Sequence, residues 1–248
     1  MSKPYRTSIT THADGKVYVW GYDLLKLAGE RSFTAAIYLI LKGEMPDKTS
    51  EKMLDSMLTI AIDHGVEPSS VVAARNVYSG GSPVQAAVAA GILAFGEYHG
   101  GAIETAMEIF KKYCLPGGEG VKQLIDDFEK SGARVSGFGH RLYTVDPRTE
   151  KLIEVAKDLG FYGKYVKFAK EVEGELSSGS KKLPLNIDGI FAGLLCEMGF
   201  NPKSGKGFFI IARTPGIVAH VVEEALREKP VRRLAEKDVE YDGPRPRK

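Results

Sequence analysis

Long apolar stretches are missing from this sequence: the longest, Ala86 to Gly96, is too short to span a bilayer. The N-terminus also lacks the charged, then apolar, then small pattern of a secretory signal. A soluble, cytoplasmic protein with no membrane partner is expected. Cysteine is scarce too: Cys114 and Cys196 stand far apart, without metal-ligand or redox-pair spacing, and read as free thiols in a reducing compartment. No metal is expected. Charge of one sign is not in excess, since 34 basic and 32 acidic residues leave a formal +2, so no global field attracts nucleic acid. The basic ending Arg245-Pro246-Arg247-Lys248 is read as solvated rather than as a nucleic-acid arm. Internal repeats, low-complexity segments and obvious linkers are lacking. So are a P-loop and a nucleophile elbow, which leaves imidazole and carboxylate chemistry as the available repertoire.

With 248 residues, 43% of them hydrophobic, the chain can bury a large core without a staple. Residues 7–20 alternate around His12-Ala13-Asp14-Gly15 and predict a small hairpin with an Asp-Gly turn, in which His12 is an exposed bystander. From Tyr22 onward the periodicity is helical. One pattern runs to Leu41, another spans 47–62, and a third opens at Pro68. The almost wholly apolar stretch from Pro83 to Glu97 predicts a helix at the centre of the molecule. Helices over 103–113, 120–130, 149–159, 162–177 and from Leu185 to Met198 follow. Phe208 to Ala212 precedes Arg213-Thr214-Pro215-Gly216, and a last helix over 217–227 carries His220, read as a packing or helix-face residue. The expected class is all-α, compact, with a minor N-terminal hairpin. The expected organisation is one domain over 1–248, with 1–21 as the hairpin and 228–248 as a charged tail lying on a surface or a partner subunit.

The chain is organised around Ser136-Gly137-Phe138-Gly139-His140-Arg141, closed by Asp146-Pro147-Arg148. Glycine at this density predicts a tight loop, and one imidazole with two guanidiniums at its exit suits a carboxylate or phosphate. Three of the five histidines, His64, His99 and His140, stand where a helix ends or a glycine loop intervenes, which is where functional side chains concentrate. Asp188 sits among apolar neighbours in Leu185-Asn186-Ile187-Asp188-Gly189-Ile190. Asn186 can cap the following helix, which leaves Asp188 to act as a desolvated base of raised proton affinity. Arg75, Arg141, Arg148, Arg213 and Arg233, gathered in one cleft, would hold a di- or tricarboxylate. Proton transfer beside a carbonyl, or during carbon–carbon cleavage, fits this set.

Ordered along the chain, Gly21-Tyr22-Asp23-Leu24, Ser32-Phe33, Leu41 to Pro46, Asp63-His64, His99-Gly100-Gly101-Ala102, Gly137 to Arg141, Asp146-Pro147-Arg148, Asn186-Ile187-Asp188 and Arg213-Thr214-Pro215-Gly216 resemble the citrate synthase superfamily over nearly the whole length. The resemblance implies a citrate-synthase-like helical fold and a catalytic triad of His99, His140 and Asp188. It places substrate carboxylates on His64, Arg148, Arg213 and, from the other subunit of a dimer, Arg233. The loop Gly137-Phe138-Gly139, with Lys182, would receive coenzyme A. Full-length synthases carry a long helical segment between the Gly-Glu-Met-Pro stretch and Asp-His, and usually read Asp-His-Glu. Here only residues 47–62 intervene and Asp63-His64 is followed by Gly65, features that resemble citryl-CoA lyases and the citrate-synthase-like module of ATP-citrate lyase. Asp146-Pro147-Arg148 stands one residue nearer His140 than in most synthases. His99 occupies a position where the ATP-citrate lyase module commonly has phenylalanine, so the synthase-type triad is intact.

The activity this implies is cleavage of citryl-CoA to acetyl-CoA and oxaloacetate by a homodimer or dimer-based oligomer, with a separate citryl-CoA synthetase as a potential partner. Coenzyme A enters as a thioester substrate and no cofactor is permanently bound. Citrate or methylcitrate synthesis is the alternative in the other direction. A non-catalytic subunit that binds coenzyme A or citrate is the alternative of another class, and the complete triad argues against it.

Overall fold

The chain turns twice before its first helix. In the computed structural model, which describes residues 5–140, 143–178 and 182–247, β1 (Thr10–Ala13) and β2 (Lys16–Val19) pair antiparallel, Thr10 opposite Val19 and Ala13 opposite Lys16. Asp14 and Gly15 take φ of 50° and 72°, the left-handed pair that a two-residue hairpin turn needs. The expected hairpin gains a strand: β3 (Tyr22–Asp23) pairs with β2 across a second turn, at Trp20-Gly21, where Trp20 also has positive φ, 49°. A bulky residue seldom adopts that conformation; here the Trp20 indole N–H donates to the Ile40 carbonyl at 3.3 Å and its ring covers Gly43. His12 lies in β1 rather than in the turn, and is exposed.

Eleven α-helices follow among the described residues, so the fold is all-α with one small sheet. The pattern expected from Tyr22 to Leu41 divides into α1 (Leu24–Glu30) and α2 (Phe33–Lys42), because Ser32 caps the second by accepting from the Ala35 N–H at 3.0 Å. Then come α3 (Lys48–Ile60), α4 (Ser69–Ser79), α5 (Val84–Leu93), α6 (Ala102–Tyr113), α7 (Glu119–Ser131), α8 (Pro147–Leu159), α9 (Lys164–Leu176), α10 (Ile187–Glu197) and α11 (Gly205–Arg227).

The chain divides into two compact units. The first comprises 1–62 and 96–213. At its centre stands α10, buried from Gly189 to Cys196 and packed against α6, α8 and α9, while α3 lies on α2 and α8. Cys196 is buried in this core and Cys114 half-buried, both as free thiols. The second unit comprises 63–95 and 214–248, built on the α4–α5 pair. A Cβ at Gly91 would lie 2.9 Å from the Ser70 carbonyl and 3.0 Å from Ile217, so only glycine permits this helix crossing.

Two expectations change. The apolar helix α5 is not central in the isolated chain: only Ala87 and Gly91 are fully buried on it, and Leu93 is 84% exposed. Secondly, residues 205–227 form one helix with Pro215 inside it. Proline removes a single backbone donor, and here its ring is exposed while Ala212, Gly216 and Ile217 around it are buried. Among the described residues no helix is long and apolar enough to cross a membrane.

Candidate active site

The glycine loop is held on the start of α10. The Gly139 N–H donates to the Pro184 carbonyl at 2.7 Å and the Asn186 N–H to the Gly137 carbonyl at 3.1 Å, so Phe138 and Leu185 form an antiparallel bridge. Asn186 Nδ2 adds a bond to the Gly139 carbonyl at 3.0 Å. A Cβ at Gly137 would stand 2.7 Å from Gly189 Cα, and one at Gly189 would stand 2.3 Å from the Gly137 carbonyl oxygen. Two glycines thus let the loop rest directly on the first helical turn, which carries Asp188. Asn186 Oδ1 caps that turn, accepting from the N–H groups of Asp188 at 3.0 Å and Gly189 at 3.1 Å. The Asp188 carboxylate is therefore not used as the cap.

Asp188 is partly buried, and burial pushes its carboxyl up to about 6 against the opposing fields of Arg148 and Arg213. Arg213 is 2% exposed; its Nε donates to the Ala61 carbonyl at 2.8 Å and its guanidinium lies 4.9 Å above the Phe209 ring. The His99 ring meets Phe209 edge-on at 6.1 Å. Phe209 thus contacts both His99 and Arg213.

The charge of Arg148, on α8, acts on the same carboxylate. Asp146, fully buried, caps that helix and pairs with Arg148, whose Nη2 lies 2.8 Å from Oδ2. Burial alone would raise the Asp146 carboxyl, but the hydrogen bonds and charge of Arg148 hold it below the usual range. His140 feels Asp146 and Arg148 as well; burial, with Arg148 assisting, moves its imidazole below the ordinary value and favours the neutral ring. Its Nδ1 accepts the Tyr143 N–H at 3.2 Å. A neutral ring bonded in this way carries its proton on Nε2.

Beside His140 opens a cleft of about 610 Å³, walled by Ile125, Phe128, Phe138 and Leu183, with Arg134 among its lining residues. Phe138 and Gly139 of the glycine loop line this cleft. Lys182 is exposed and donates from Nζ to the Ser177 carbonyl at 2.7 Å. Arg141 lies outside the described residues.

The second unit carries His64, Arg75, His220 and Arg233. Asp63 brackets His64: Oδ2 accepts from the Gly65 N–H at 2.9 Å, and Oδ1 lies 3.1 Å from His220 Nε2. His220 thus makes the helix-face hydrogen bond expected of it. Arg75 is committed within its own unit, with Nε 2.6 Å from Glu224 Oε2 and further pairs to Glu223 and Glu228. Arg232 also pairs with Glu224, its Nη2 2.6 Å from Oε2. Its neighbour Arg233 lines a groove of about 630 Å³ with Val66, Val72 and Leu234.

Residues 46–234 match the profile of the citrate synthase C-terminal domain. The chain belongs to the citrate synthase family. Among solved structures it is similar to citryl-CoA lyase from Hydrogenobacter thermophilus, at 46% identity and a TM-score of 0.93, covering 99% of this chain and 97% of that one. It is similar to Thermoplasma acidophilum citrate synthase, solved as a ternary complex with carboxymethyl coenzyme A and oxaloacetate, at 27% identity and a TM-score of 0.72, covering 88% and 58% of the two chains. A curated relative, Arabidopsis thaliana ATP-citrate synthase beta chain protein 1, is 28% identical over 77% of this chain. The chain spans 34% of that protein's length.

Within this citrate-synthase-type unit, the parts played by Phe209, Asp146 and Tyr143 escaped the sequence reading. Phe209 looks like one more apolar helix residue, and its two-sided contact exists only in three dimensions. Asp before Pro is a signal that could have marked Asp146 as a helix cap; its hold on the Arg148 side chain leaves no such signal. Tyr143 acts through its backbone, which leaves no mark on residue type.

Proposed function

We propose that this chain is a citryl-CoA lyase that cleaves citryl-CoA to acetyl-CoA and oxaloacetate. The observation that carries the reading is its similarity to a citryl-CoA lyase over essentially the whole of both chains, joined to a carboxyl whose proton affinity burial raises against the charges of two arginines. As the carbon–carbon bond breaks, its electron pair passes to the acetyl carbon and the hydroxyl becomes the ketone of oxaloacetate. Asp188, protonated, gives its proton to the enol carbon of acetyl-CoA. His99 donates a hydrogen bond to the thioester oxygen, where charge develops. His140 faces the hydroxyl oxygen of C3. With Tyr143 on Nδ1 its Nε2 is a donor, suited to the ketone of oxaloacetate; before cleavage the single proton of the neutral ring has to stand on Nδ1, with the Tyr143 N–H released, so that the vacant Nε2 takes the hydroxyl proton as the carbon–carbon bond breaks.

Arg148 and Arg213 hold the carboxylates that become oxaloacetate, with His64 and, from the other subunit of a dimer, Arg233. Arg75, taken up by three glutamates, is given a structural part instead. The Gly137-Phe138-Gly139 loop receives coenzyme A, with Lys182 as a further contact, and Arg141 joins the residues that hold the substrate carboxylates. The proposal keeps 1–248 as one domain of a cytoplasmic, dimer-based oligomer, its 228–248 tail on the partner subunit and a separate citryl-CoA synthetase upstream. The exposed apolar residues Val72, Val84 and Leu93 on α4 and α5 support a dimer. Citrate synthesis is the second reading, supported by the similarity to a synthase crystallised with oxaloacetate.

Supplying citryl-CoA and following oxaloacetate through malate dehydrogenase and NADH, with free thiol assayed in parallel, separates the two. Oxaloacetate with little free coenzyme A is the expected result; free coenzyme A with citrate means that the thioester is hydrolysed, as in a synthase.

A further inference from the structure

Asp63 and His64 stand in the irregular segment between α3 and α4, outside any helix or strand. The Asp63 carboxylate works on this segment with both of its oxygens. Oδ2 accepts the Gly65 N–H at 2.9 Å and closes a turn around His64, with Gly65 at a φ of 78°. Oδ1 lies 3.1 Å from Nε2 of His220 on α11. Burial alone would raise the Asp63 carboxyl; the N–H groups of Gly65 and His64, with the charge and hydrogen bond of His220, hold it below the ordinary value. A carboxylate only accepts, so the proton in the bond belongs to His220 Nε2.

His220 is itself held. Its side chain is mostly buried, and its Nδ1 lies 3.8 Å from Glu223 Oε2. Glu223 in turn pairs with Arg227 at 2.5 Å and Arg75 at 3.7 Å. His220, Glu223 and Arg227 are three and four residues apart and share one face of α11. A side chain braced on a helix thus grips one oxygen of a carboxylate whose other oxygen shapes the turn that carries His64. Side chains on loops stand accurately only where supporting hydrogen bonds of this kind lock them.

We propose that His220 is a positioning residue for His64, tying the Asp63-His64-Gly65 turn to α11 so that the His64 imidazole stands ready for a substrate carboxylate. This rests on the reading of His64 as a carboxylate-binding residue, and it gives His220 no contact with substrate. Without the tie, Oδ2 still closes the turn, but the turn moves as a unit. The cost then falls on binding of the dicarboxylate and spares coenzyme A.

The test is calorimetric titration with oxaloacetate and, separately, with coenzyme A of the wild-type protein, His220→Leu, His220→Gln, Asp63→Ser, the Asp63→Ser/His220→Leu double variant and His64→Ala. His220→Leu is expected to weaken oxaloacetate by about 10-fold, within the range for one charged hydrogen bond, and to leave coenzyme A affinity unchanged. His220→Gln, whose amide N–H extends toward the place of Nε2, should recover most of that loss. Asp63→Ser keeps an oxygen for the Gly65 N–H but is too short to reach His220. It should match His220→Leu, and the double variant should add little, because both changes break one bond. Asp63 is exposed, so Asp63→Ser decides the matter alone where His220→Leu does not fold. Wild-type oxaloacetate affinity in His220→Leu or Asp63→Ser, an equal loss for coenzyme A, or a Gln variant as weak as the Leu variant overturns the proposal. His64→Ala should lose at least as much oxaloacetate affinity as His220→Leu; an unchanged affinity there overturns the carboxylate-binding reading of His64 instead. A wild-type protein that neither binds oxaloacetate nor cleaves citryl-CoA overturns the lyase reading itself.

Discussion

Arg148 lies flat on Asp146, with Nη2 2.8 Å from Oδ2 and Nε 3.0 Å from Oδ1, while the backbone N–H of Arg148 also reaches Oδ1 at 3.0 Å. One buried carboxylate thus caps α8 and aims the guanidinium whose field falls on Asp188 and His140. Asp146→Ala removes both the cap and the partner of a mostly buried charge. It is expected to lower unfolding free energy by about 3 kcal/mol. Asp146→Asn keeps an oxygen for the cap, so denaturant unfolding should show a smaller loss. In both variants KM for citryl-CoA should rise more than kcat falls, since a misaimed Arg148 weakens binding of the carboxylates; an unchanged KM would deny Arg148 that part.

The raised proton affinity of Asp188 gives the two reaction directions opposite pH dependences. Cleavage needs the protonated carboxyl, so its kcat/KM should fall as pH rises through about 6. Condensation of acetyl-CoA with oxaloacetate needs the carboxylate and should rise through the same region. Asp188→Asn is expected to cost about 10²- to 10⁴-fold in either direction. Cleavage that stays flat from acid to neutral pH, or a variant turning over near the wild-type rate, would remove Asp188 from the chemistry.

The same shift carries a stability consequence. The folded-state affinity lies above the ordinary carboxyl value of 3.8, so the folded protein binds more protons than the unfolded chain between those limits. The contribution of Asp188 to stability is fully present below the unfolded value and is lost as pH rises through about 6. Asp188→Asn, which stays neutral, should therefore stabilise the protein at pH 8 by up to ~3 kcal/mol and leave it unchanged near pH 4. Thermal unfolding of the pair at the two pH values checks this, and equal shifts at both would exclude titration as the cause.

Much of this site could be read from residue order. Asn186 followed by Asp188 gave both the cap and the released carboxylate, because capping needs a particular side chain at a particular helix position. The glycine loop was equally plain, since positive φ leaves its mark as glycine. The Asp-Gly turn was read for the same reason, and the Trp20-Gly21 turn was missed because its strained residue is stabilised by contacts with Ile40 and Gly43, far along the chain. Helix α5 misled for a complementary reason: hydrophobicity predicts burial without saying which surface covers it. The commitment of Arg75 to Glu224 spans most of the chain, and spacing within a motif carries no trace of such a pair.

The seat of the loop on α10 predicts unequal costs for its glycines. At Gly137, where φ is 92°, a Cβ would enter to 2.7 Å of Gly189 Cα; at Gly139, with φ of 90°, the nearest atom is Leu183 Cδ2, a flexible side-chain end at 3.4 Å. Gly137→Ala has to displace backbone as well as adopt a left-handed conformation, whereas Gly139→Ala faces chiefly the conformational cost, about 1–2 kcal/mol. Denaturant unfolding should therefore show Gly137→Ala, and Gly189→Ala with its 2.3 Å approach to the Gly137 carbonyl, much less stable than Gly139→Ala. Equal losses would mean that the loop does not rest on the helix as described.

The contact between His140 Nδ1 and the Tyr143 N–H decides which nitrogen of the neutral ring carries its proton. A backbone N–H can donate only to an unprotonated nitrogen, so the neutral ring has its proton on Nε2, the nitrogen that faces the reacting oxygen in the proposed reaction. Nitrogen chemical shifts of ¹⁵N-histidine-labelled protein, assigned by comparison with His140→Gln, should show the Nε2–H tautomer at neutral pH. Because burial depresses this imidazole, its titration midpoint should lie below the ordinary histidine value. Tyr143→Pro removes the donor while leaving the ring of His140 in place, and should raise the population of the Nδ1–H form. A wild-type spectrum already dominated by Nδ1–H would mean that the loop presents His140 as a proton acceptor before citryl-CoA arrives, and that cleavage needs no exchange at Tyr143.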